Sequence, residues 1–282
     1  MSSASRDTLR YDPVNACIYC GSLEDLTDEH VIPYSLSGNI LLPKASCKSC
    51  AEITHKFERT VARRVYGNFR IHNQVSTRRP KSRPTHLVIG TNTGNKDIPI
   101  SEHHGTAFVC KFRRALALKG VDFDLNDNSS HWLPVAISDH KALENLGKHR
   151  GWDRKVTASF HPLELAKTIA KIGYSYAIGE FGCRSFYPLV TDLILGKSEN
   201  FSYFVGGDWE LPPPQVDSDN HLGIELQFSG GKLWVVPSVR LFSPAGTPKY
   251  HVAVGYIDAA NPVHQAILEK HLKAGKLQFP AV

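Results

Sequence analysis

Four cysteines fall into two pairs of equal spacing, Cys17-x-x-Cys20 and Cys47-x-x-Cys50. The first 16 residues carry no apolar run resembling a secretory signal, so paired spacing of this kind points to a metal rather than to disulfides. Four thiolates complete the tetrahedral shell of a structural zinc ion, each pair holding it from a tight turn. Between the pairs stands Asp28-Glu29-His30-Val31-Ile32-Pro33. There an acidic oxygen can hold a metal ion while the neighbouring imidazole addresses a water molecule. Cys110 and Cys183 stand alone in apolar surroundings and read as buried thiols.

These groups need elements to position them. If both pairs close on one zinc, the segment between them folds back against a helix that begins near Cys47. Residues 29–32 then form one strand of a short hairpin, with Glu29 and His30 on opposite faces. Lys48 to Tyr66 contains no Gly or Pro, and Ile53, Phe57, Val61 and Val65 recur every fourth position. That period predicts a helix, with Ser46 as its N-cap. Positions 51, 55 and 58 share one side of it.

The order of these motifs resembles the HNH endonuclease family of the zinc-stabilised ββα-metal type, over residues 17 to about 60. Leu42-Pro43-Lys44-Ala45-Ser46-Cys47 and Phe57-Glu58 further resemble a bacterial HNH subgroup. The resemblance implies a hydrolytic nuclease with one catalytic divalent cation (Mg²⁺, Mn²⁺ or Ni²⁺), His30 as general base and Glu29 as acidic metal ligand. A phosphodiester is shielded by its own charge, so attack on it calls for a deprotonated water and a cation on the phosphate. The family position directly after the last cysteine is Ala51 here, which binds no metal. His55, one turn further, is the expected substitute ligand. Glu58 competes with it, about 10 Å along the axis from residue 51. The family's middle asparagine corresponds to a displaced Asn39, and Asp28 reads as a turn residue or a partner of the ligands.

Charge adds a binding surface. Residues 1–85 hold 13 basic and 8 acidic side chains, and from Arg59 to Pro84 there are eight cations and no acid: Arg59, Arg63, Arg64, Arg70, Arg78, Arg79, Lys81 and Arg83. Such a stripe suits the phosphates of DNA, double-stranded in the first reading. Two cuts in a duplex make a homodimer attractive. No apolar stretch is long enough to cross a membrane, and a cytoplasmic protein is expected.

The predicted fold class is α+β. Residues 1–16 read as a loose arm, 17–66 as the ββα-metal module and 67–84 as a basic connector. Residues 85–282 read as a larger mixed domain for recognition, dimerisation or regulation. Within it Pro162–Gly179 and Pro262–Ala274, closed by Gly275, read as helices. Leu222–Phe228 and Lys232–Val236 flank Ser229-Gly230-Gly231 as a hairpin that Tyr250–Ile257 could extend. All four tryptophans, Trp132, Trp152, Trp209 and Trp234, are expected in the core, and no aromatic platform for single-stranded RNA is evident, which ranks RNA last as a substrate. A second reading follows from Ala51 and the displaced Asn39: a zinc-stabilised nucleic-acid-binding or sensor module without turnover.

Overall fold

The spacing of the cysteines and the apolar stripe after them set the first unit of the computed structural model, which describes residues 8–77, 80–124, 131–151, 153 and 158–273. Strand β1 (Leu9–Arg10) pairs in parallel with β3 (Ile40–Cys47), and β3 pairs antiparallel with β2 (Leu26–His30). β3 runs directly into α1 (Lys48–Thr60). The predicted helix continues through Val61–Val65, but its last turn widens to a π turn, in which Tyr66 N–H bonds Val61 O at 3.0 Å. The extended Cys47, not Ser46, is the N-cap, because Ser46 lies within β3 opposite Thr27.

After α2 (Gly67–His72) come two hairpins, β4 (His86–Thr91) with β5 (Gly94–Pro99) and β6 (Ala107–Phe112) with β7 (Trp132–Ile137). Helices α3 (His140–Arg150) and α4 (Pro162–Phe181) follow. The remainder is β8 (Tyr187–Pro188), α5 (Thr191–Leu195), α6 (Phe201–Phe204), β9 (Val205–Gly207), β10 (Asn220–Ser229), β11 (Lys232–Leu241), β12 (Tyr250–Val252), β13 (Gly255–Ile257) and α7 (Pro262–Lys273). These strands form one sheet in the order β8-β13-β11-β12-β9, with β10 along the free side of β11. The predicted hairpin is β10–β11; Gly230 and Gly231 both take positive φ, 55° and 71°, as a two-residue primed turn requires. The fold is mixed α+β. Gly275 and Trp152 lie outside the described residues.

Helix α4 organises the interior. It is buried around most of its circumference, which marks a core helix rather than a surface one. A Cβ at Gly173 would lie 3.0 Å from Val252 Cγ2, so glycine lets α4 approach β12 closely. Its other side packs against α1, and one continuous apolar cluster runs from Cys17 to Ile257. Tyr174 OH donates to Ile18 O (2.7 Å), fastening the first cysteine turn to α4. The expected boundary between residues 66 and 85 therefore separates no core from another, because the short ββα unit needs α4 to cover its apolar face. The arm is likewise corrected from residue 8 onward: Leu9 and Arg10 pair with β3, and Tyr11 OH donates to Glu180 Oε1 at 2.5 Å. No helix among the described residues is long and apolar enough to cross a membrane.

Candidate metal centre

The first cysteine pair sits in a turn that its own backbone closes, Gly21 N–H bonding Cys17 O and Cys17 N–H bonding Ser22 O, both at 2.8 Å. Ile18 N–H bonds Ala45 O (2.8 Å) and sets this turn beside the end of β3. Cys47 closes β3, and Cys50 lies in the first turn of α1. The four Sγ atoms lie within 4.8 Å of one another, Cys20 and Cys47 at 3.6 Å. A tetrahedral Zn–S₄ centre with bonds of about 2.3 Å has S–S edges of roughly 3.8 Å, so this donor set fits a metal ion such as zinc. Burial pushes the Cys17 and Cys50 thiols up, whereas the Ser22 N–H holds Cys20 down. Four thiolates would thus need a cation among them, and a bound metal ion would supply that charge. Cys110 is a buried thiol pushed up to about 12, as expected of a core position; Cys183, expected buried, is exposed.

Glu29 and His30 end β2 and face opposite ways. Opposite them β3 is irregular: Thr27 pairs with Ser46, but Glu29 pairs with Leu42. Lys44 takes a positive φ of 49° in this bulge, and its N–H bonds Asp28 Oδ1 at 3.1 Å. The irregularity decides which helix residue Glu29 meets. Leu42 is five residues before Cys47, roughly 16 Å of strand, and Glu58 is eleven residues after it, roughly 16 Å of helix. The returning helix therefore brings Glu58 level with Glu29, while Ala51 and His55 lie nearer the cysteines. His55, the expected substitute ligand, is exposed, and Glu58 is the helix residue that converges on Glu29.

Between the two carboxylates lies Lys171 of α4. Its Nζ is 2.5 Å from Glu29 Oε1 and 2.8 Å from Glu58 Oε1, and it also donates to His30 O. The side chains of Lys171, Glu29 and Glu58 are only 1%, 8% and 15% exposed. The ammonium thus forms ion pairs with two carboxylate oxygens and donates a hydrogen bond to one backbone carbonyl. Burial alone lowers the Lys171 pKa, but the charges of Glu29 and Glu58 outweigh it and hold the group above its ordinary value. Burial raises the Glu58 carboxyl, with Glu29 adding to the rise and Lys171 opposing it. A divalent ion 4 Å from this ammonium would meet a repulsion of about 8 kcal/mol at an effective dielectric of 20. Lys171 carried no signal in the sequence, where a lysine on a helix reads as a solvent-facing residue.

The remaining candidates separate. His30 is half-buried, its ring centroid 6.5 Å from that of Tyr34. Asn39 precedes β3, with its carbonyl accepting from Leu9 N–H at 2.9 Å, which gives it a place in the loop and arm. Asp28 also pairs with Arg10 at 3.1 Å. Of the basic stripe, Arg59, Arg63, Arg64 and Lys81 are exposed. Arg70 instead donates to Ala62 O (2.8 Å), and Arg83 to Val75 O, so these two serve the backbone. Arg78 and Arg79 lie outside the described residues. Comparison with protein-family models, curated proteins and solved structures gives no match.

Proposed function

We propose that the chain binds nucleic acid through a zinc-stabilised ββα module whose acidic centre is occupied by the Lys171 ammonium, so that it holds phosphates without hydrolysing them. Lys171 carries this reading: its ammonium pairs with Glu29 and Glu58 from inside the core, where a divalent cation would otherwise take the same oxygens. Exposed Arg59, Arg63 and Arg64 along α1 and its π turn support phosphate contacts that position a backbone without reading bases. Double-stranded DNA is the partner this stripe fits. The HNH-type endonuclease is the second reading, favoured by the convergence of Glu29 and Glu58 next to the His30 backbone carbonyl. In it His30 takes the proton of the attacking water and the two glutamates hold the cation, which requires the Lys171 ammonium to leave.

Supercoiled plasmid separates the two readings. With Mg²⁺, Mn²⁺ or Ni²⁺ the protein is expected to leave the plasmid supercoiled while binding a short duplex. Arg63→Ala with Arg64→Ala should weaken that binding and reduce the slope of log affinity against log salt by about two. Metal-dependent relaxation that disappears in His30→Ala would overturn the binding reading in favour of the nuclease.

A further inference from the structure

A second surface, formed around β9–β11 and the segment after β6, combines the two features that the sequence kept apart. A cleft of about 910 Å³ is lined by Arg113, Arg114 and Lys119 together with Trp209 and Phe228. Both rings lie largely in solvent, Trp209 at 56% and Phe228 at 73% exposure. Trp209 was expected in the core; it follows β9 at the start of the coil leading to Pro212-Pro213-Pro214, beyond the last sheet pairing. Lys111 Nζ stands 4.7 Å and Arg113 Cζ 5.8 Å from its ring centroid, so cations flank the aromatic face. Of the two acids in the cleft, Asp208 pairs with His251 Nε2 at 2.8 Å, leaving Glu225 as an acceptor on the wall.

We propose that this cleft binds an unpaired nucleotide of a single-stranded nucleic acid. The base stacks on Trp209 or Phe228, the flanking phosphates meet Arg113, Arg114 and Lys119, and Glu225 accepts from a base amino group. A ring on the wall of a cleft stacks on a base face only when that base is itself unstacked, which a regular duplex forbids. An excess of cations around the rings selects an anionic planar ligand over a neutral apolar one. The inference deepens the proposed function, since it rests on nucleic acid being the partner and adds the form of strand taken at a surface made of other residues.

Fluorescence anisotropy with labelled 15-mers of oligo-dT and oligo-rU, and with a 15-base-pair duplex, tests it. Wild-type protein is expected to bind at least one of the single strands. At least one of Trp209→Ala and Phe228→Ala should weaken that binding about tenfold, with duplex affinity unchanged and Trp209→Phe keeping most of the wild-type affinity. Both side chains are exposed, so unchanged melting curves should accompany the loss. Wild-type affinity for the single strands in both alanine variants, or no single-strand binding by the wild type, would overturn the inference. Loss of duplex binding only in Arg63→Ala with Arg64→Ala speaks to the proposed function alone.

Discussion

Lys171→Met is expected to destabilise the protein by about 3–5 kcal/mol at neutral pH, because it leaves two carboxylates in the core without their cation. Methionine keeps the unbranched chain, so little of that loss comes from packing. The variant should also gain a pH dependence of definite sign. Without Lys171 nothing opposes the rise of the buried Glu58 carboxyl, which then holds a proton in the folded state that it releases in the unfolded one, so stability falls as pH rises above 4.5. The wild type has the same sign through Glu58, whose carboxyl is raised above 4.5: its contribution is full below that value and is lost as pH rises through the raised one. Lys171, itself raised above 10.5, contributes stability at all pH values below that and loses it only in strong alkali. Adding Glu58→Gln to Lys171→Met should recover part of the loss and flatten the slope. Urea denaturation at pH 5 and pH 7 measures all of this. A Lys171→Met protein as stable as the wild type at pH 7 would show that the triad is not buried as described.

Removing the metal is the second large effect. The four sulfurs fix a turn, the end of a strand and the start of a helix to one another, and Tyr19 and Ile18 of that turn are packed in the common core. Apparent zinc-binding free energies in small folded sites are on the order of 10 kcal/mol, and in such sites binding energy is folding energy. Purified protein should contain one zinc per chain by elemental analysis. Cys47→Ser or a strong chelator should abolish that content and sharply lower the melting temperature, with zinc but not magnesium restoring the chelated protein. Metal-free protein with an unchanged melting curve would remove zinc from the structure.

What the sequence made legible here was local. Two short cysteine spacings suffice to bring four sulfurs together, since each pair is closed by its own turn and the intervening strand need only return to its start. Helix α4, the β10–β11 hairpin and the strands after it follow from period and from glycine. The choice between His55 and Glu58 was not legible, because it turns on a bulge between Leu42 and Ser46 that shifts the register opposite Glu29. Lys171 lies 141 residues from His30, and no local pattern distinguishes a lysine that will enter a core from one that will face water. Trp209 was misplaced for the converse reason: a large ring is assigned to the core by default, and only the end of β9 and the proline run put it outside.

The claim on which the rest depends is that an ammonium, not a divalent ion, occupies the space between Glu29 and Glu58. Anomalous diffraction from crystals soaked in manganese chloride tests it directly. The expected map has no manganese peak there and keeps Lys171 Nζ between the two carboxylates. A manganese peak about 2 Å from oxygens of Glu29 and Glu58, with the Lys171 side chain moved away, would contradict it.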